Sequence, residues 1–220
     1  MSPEPTEILS DEAHLALVHT APGLRDALRV FFELDARLAR IVSATTEPML
    51  GQMRLAWWRD TLGMEISDRP KGDAVLDALG RHWAGAESAI IALVDGWEHM
   101  LSDPPLSREA ALGFANGRGD ALAGLVSLSG SDAGLCEKVR SAGRIWALAD
   151  AASHIAEEVE RRTFIDLAGE LDPPARLPAP FRGVAVLGAL GARAIAAGGA
   201  PLMDGRGAAL TALRAGLLGR

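Results

Sequence analysis

Asp150, His154 and Glu158 recur at intervals of four in the segment ALADAASHIAEEVERR, with Glu157 beside the last of them. On one uninterrupted helix this spacing puts the three side chains on a single polar face, where groups one turn apart converge on one ion. Carboxylates suit magnesium, whereas His154 suits zinc or another transition metal better. The same residues also fit a solvated face, laced by Glu157–Arg161 and Glu158–Arg162 pairs, with Leu148, Ala152, Ile155 and Val159 facing inward. Amphipathicity alone favours the solvated face over a cavity lining. No other reactive residues form recognisable machinery. His14, His19, His82, His99 and His154 make no HExxH pattern, GRGDA at 117–121 lacks the glycine spacing of a dinucleotide loop, and Cys136 has no nucleophile setting. Glu98 and His99 read as an exposed helix edge beside a buried Trp97.

The segment EPMLGQMRLAWWRDTL, Glu47 to Leu62, combines a helix start, paired tryptophans and interleaved charges. Pro48 suits the first helical position after a Thr45/Thr46 cap. Leu55, Trp58, Leu62 and Ile66 form one apolar stripe, and Met49, Met53, Ala56 and Trp57 a second, which together predict a wide buried face. Arg54 and Arg59 then fall at its edges, where a guanidinium stacks on indole or reaches an anion.

With the preceding FFELDARLARIV (31–42), this segment resembles the squalene/phytoene synthase family. The likeness is closest to a divergent bacterial branch related to respiratory complex I assembly factors. LVDGWEHML, ANGRGDALAGL and AGRIWALADAASHI follow in the family's order, so the resemblance spans most of the chain. It implies an isoprenoid-synthase bundle around an apolar cavity, with paired aspartates on two facing helices holding magnesium against a prenyl diphosphate. The first pair is incomplete here. Asp35 stands alone, Ala39 occupies the position one turn later, and Arg37 and Arg40 lie alongside. The second region keeps Asp150, His154 and Glu158. The resemblance therefore implies a catalytically degenerate relative that binds a prenyl or lipid-like ligand or a protein partner, with no metal cofactor. Its alternatives are an active magnesium-dependent prenyltransferase and an assembly factor that contacts a respiratory-complex subunit. The candidate cavity contacts are Asp35, Arg54, Trp57, Trp58, Asp150, His154, Glu157 and Glu158.

The elements that must position these residues read as helical throughout, because apolar spacings of three and four recur and alternation is scarce. About eight helices in one domain spanning 1–220 are expected. Ser10, Pro22, Ser107 and the DRPKGD turn mark starts, and the last long helix before the proline-rich connector at 172–180 is predicted to run to about Arg162. Leu24, Leu28, Phe31, Leu38 and Val42 share a seam on which Asp35 also falls. Gly113, Gly117, Gly119 and Gly124 within one helix predict close helix approach. Net charge is -7, which disfavours nucleic acid as a partner. A lone Cys136 points to a reducing compartment. The acidic, proline-bearing start lacks a signal-peptide plan, and the apolar run 184–200 carries Arg193. A cytoplasmic protein with no transmembrane segment is expected, in peripheral contact with a membrane at most.

Overall fold

In the computed structural model, which describes residues 8–219, ten α-helices follow one another and none of the described residues lies in a strand. Their starts follow local chemistry. The side chains of Ser10, Asp73 and Ser107 accept the N–H groups of Ala13, Leu76 and Ala110, satisfying donors that have no partner inside the helix. Pro22 and Pro48 open two further helices without needing a cap. The helices are α1 (Asp11–His19), α2 (Pro22–Ser43), α3 (Pro48–Gly63), α4 (Ala74–His82), α5 (Glu87–Glu98), α6 (Arg108–Leu128), α7 (Cys136–His154), α8 (Glu158–Gly169), α9 (Arg182–Ala196) and α10 (Gly205–Leu218).

A contiguous core links residues of all ten, from Ala13 to Ala215. At its centre α6 packs between α5 and α7, and α9 covers the other side of α7. Glycines set the spacing of these central helices. A Cβ on Gly117 of α6 would lie 2.4 Å from the Ala92 carbonyl oxygen, and one on Gly143 of α7 would lie 3.0 Å from the Gly119 Cα. Such backbone-to-backbone approach leaves no room for a side chain at either contact. Residues 179–196 are long and apolar enough to cross a membrane by composition, but α9 within them packs against α1, α7, α8 and α10.

Three expectations need correction. The helix predicted to reach Arg162 stops at His154, and α8 begins afresh at Glu158. The reason is local. Ser153 Oγ and His154 Nδ1 both donate to the Asp150 carbonyl oxygen, at 2.7 and 2.8 Å, and the Glu157 carboxylate accepts the Glu160 N–H at 2.6 Å. Side chains that satisfy the last turn compete with continuation, and the acids Glu157, Glu158 and Glu160 favour a helix start, where the dipole is positive. Val159, placed on the buried face of a continuous helix, is accordingly exposed. On α3 the first apolar stripe is buried at Leu55, Trp58 and Leu62 but does not extend to Ile66, which lies half-buried in the turn beyond the helix, whereas Met49, Met53 and Trp57 of the second are 71, 64 and 45% exposed. Finally, Thr45 and Thr46 do not cap α3. Glu47 occupies the N-cap without a side-chain bond, and Thr45 Oγ1 donates to the Ile41 carbonyl oxygen in the last turn of α2. The acidic start falls, over residues 1–7, outside the described residues.

Candidate functional site

Asp35 and Asp150 reach the same place from α2 and α7, and Arg118 of α6 lies between them. Arg118 Nε donates to Asp35 Oδ1 at 2.9 Å, Nη2 donates to Asp35 Oδ2, and Nη1 donates to Asp150 Oδ2 at 2.6 Å. The Trp97 indole N–H adds a fourth bond, to Asp35 Oδ1 at 2.8 Å. Three aromatic rings enclose the guanidinium, with its carbon 4.2 Å from the Trp146 centroid, 4.9 Å from Phe114 and 5.1 Å from Trp97. Only 4% of the Arg118 side chain and 8% of that of Asp35 remain exposed.

Burial is the largest single influence on Arg118 and pulls its pKa down. The Coulombic pull of Asp35 and Asp150, with their hydrogen bonds, outweighs it and leaves the pKa above the ordinary arginine value. The guanidinium is therefore a permanent cation held between two carboxylates, a bidentate geometry that lysine does not reproduce. Sequence reasoning had passed over Arg118. The signal was present, since Phe114, Arg118 and Leu122 share one apolar face at intervals of four, and a cation on such a face needs carboxylate partners.

This cluster floors a two-lobed cleft. A lobe of about 740 Å³ is largely apolar, with Ala36, Ala39, Val42, Met100, Phe114 and Ile155 in its wall. A smaller lobe of about 380 Å³ holds Asp35, Trp146, Ser10 and Ser153, and the two share Arg118, Asp150 and His154. His154, 78% exposed, stands at the rim 3.7 Å from Asp150 Oδ1.

Of the residues singled out from sequence, the fold thus brings Asp35, Asp150 and His154 together. Arg54, Trp57 and Trp58 line another depression with Arg37 and Asp73, which meets the cleft only at Arg40 and Ser43. There the Arg37 guanidinium pairs with Asp73 and lies 5.7 Å from the Trp58 centroid. Glu157 and Glu158 line neither. Glu157 caps α8, and Glu158 is paired with Arg162 and Arg161, whose hydrogen bonds hold its carboxyl below the usual glutamate range. Among the described residues no three His, Cys, Asp or Glu side chains gather as a metal-binding group. Comparison with protein-family models, curated proteins and solved structures gives no match.

Proposed function

We propose that this chain is a catalytically degenerate relative of the squalene/phytoene synthases that binds a prenyl or other lipid-like molecule in the cleft between α2, α6 and α7. The observation that carries the reading is Arg118 seated between Asp35 and Asp150. A fixed +1 charge bonded to both carboxylates leaves them little capacity to gather the magnesium ions that diphosphate departure requires. The apolar lobe keeps room for a hydrocarbon chain. Purified protein with farnesyl or geranylgeranyl diphosphate and magnesium is expected to release no inorganic diphosphate, while native mass spectrometry detects a retained lipid. Magnesium-dependent release that Asp150→Ala abolishes would overturn this reading in favour of the active prenyltransferase.

A second reading, an assembly factor for a respiratory membrane complex, draws on a different observation. Met49, Met53 and Trp57 form an exposed stripe on the segment that carries the family resemblance. Stoichiometric capture of a respiratory subunit, lost in Met53→Glu or Trp57→Glu, together with no lipid binding, would favour it.

A further inference from the structure

Helix α10 buries its small residues and exposes its large ones. Ala208, Ala212, Ala215 and Gly216 face inward, where α10 packs on α9 and α1. A Cβ on Gly216 would lie 2.2 Å from His19 Nδ1, so no side chain fits at that contact. The leucines point the other way, with Leu210, Leu213 and Leu217 69, 51 and 57% exposed. Viewed down the axis these three fall within about 60° of arc, opposite the buried alanines. An apolar stripe on the water side of a helix marks a surface that something else covers.

Charge identifies what covers it. Exposed Arg206 lies on the leucine face one turn before Leu210, exposed Arg214 flanks it, and α10 carries no acidic residue. At one end of the helix Arg193 Nη2 donates to the Asp204 carbonyl oxygen at 2.8 Å, and at the other Arg176 Nε donates to the Leu218 carbonyl oxygen at 3.0 Å. Residues 173–220 hold six arginines against Asp204 alone, a net +5, while residues 1–172 carry -12. The positive charge of an acidic protein is thus gathered around the exposed leucines.

A second copy fits this face poorly, because pairing α10 with α10 would bring arginines together with no carboxylate on either helix to match them. Nucleic acid would engage the arginines and leave the leucines in water. An anionic bilayer takes both: leucines enter the acyl boundary while guanidiniums stay at the phosphates on apolar stems. The exposed stripe of α3 lacks this match, since that helix carries exposed Asp60, starts from Glu47, and has its Arg59 held by Asp95 and Glu98.

We propose that α10 docks the protein on an anionic lipid surface, with Leu210, Leu213 and Leu217 inserted and Arg206 and Arg214 at the head groups. This docking is independent of what occupies the cleft. Co-sedimentation of the full chain with vesicles of equal parts phosphatidylglycerol and phosphatidylcholine, against vesicles of phosphatidylcholine alone, measures it. Wild type is expected to bind the anionic vesicles at least about tenfold more strongly, and less strongly as salt rises. Arg206→Gln with Arg214→Gln should weaken that binding about tenfold or more, each cation near such a surface being worth about fivefold. Leu210→Gln with Leu217→Gln leaves the charge unchanged and should weaken it by about tenfold or more through lost insertion. All four side chains are exposed, so both variants should keep wild-type circular dichroism. Met53→Glu on α3 should bind as wild type does.

No binding to the anionic vesicles, equal binding to both kinds, or binding that either α10 pair leaves unchanged would overturn the proposal. An equal loss in Met53→Glu would overturn it by moving the docking face to α3. A wild-type dimer that Leu210→Gln with Leu217→Gln dissociates, without vesicle binding, would give the face to a second copy instead. The wild-type comparison of the two vesicles decides even where a variant fails to fold.

Discussion

At the scale of single residues, Arg118 has two opposed effects. Its desolvation is costly, and its removal is costlier, because Asp35 and Asp150 would remain facing each other in a mostly buried site. Arg118→Met is expected to destabilise the protein by about 3–5 kcal/mol, the usual penalty for breaking one side of a buried pair, read from chemical denaturation. The same difference should hold from pH 7 to pH 10. A group whose folded-state pKa is raised contributes fully below its unfolded-state value and loses that contribution only as pH rises through the folded value, which for Arg118 lies beyond this window. A difference that shrinks by pH 10 would show that the guanidinium is not the titrating partner assumed. Only half of this cluster was legible in the sequence. Asp35 stood out as a lone acid and Asp150 as the first of an acid-and-histidine series, but their meeting depends on how α2 and α7 each pack on α6, which no local spacing encodes. Arg118 sat among glycines, where it read as part of a packing helix.

At the scale of elements, the paired tryptophans of α3 separate packing from surface. Trp58 is 3% exposed and Trp57 is 45% exposed, with the rings in edge contact at 5.2 Å. Trp58→Ala should cost about 3–5 kcal/mol and Trp57→Ala about 1 kcal/mol or less, measured as shifts in denaturation midpoint. A similar loss at both positions would mean that the outer ring is also part of the core. The helical class, the starts at Ser10, Pro22, Asp73 and Ser107, and the glycine-mediated contact of α6 were all readable, because caps and periodicity are local signals. The break after His154 was less visible, since no glycine or proline marks it and the decision falls to competing side-chain bonds. That break relocates two candidate ligands. Glu157→Ala should cost about 1 kcal/mol through the lost cap, and Glu158→Ala should leave cleft binding unchanged in titration with farnesyl diphosphate. A tenfold loss of affinity in Glu158→Ala would return that residue to the site.

At the scale of the whole molecule, the decisive property is that one core runs through all ten helices, so the cleft floor shares its support with the rest of the fold. Arg118 belongs to α6, which packs on α5 and α7, and α7 is in turn covered by α9. Loss of either terminal half would therefore uncover the elements that hold the cluster. Unfolding in urea is expected to follow one transition, with far-ultraviolet circular dichroism and tryptophan fluorescence giving the same midpoint. The probes are well placed for this comparison, because tryptophans at 57, 58, 83, 97 and 146 report on the first two thirds of the chain while helicity reports on all of it. A ligand that binds only the folded cleft should move both curves together, by about 2.7 kcal/mol at 100 times its dissociation constant. Two separated midpoints, with fluorescence responding to ligand and the remaining helicity indifferent to it, would show that α8–α10 fold as a separate unit and that the cleft draws no stability from them.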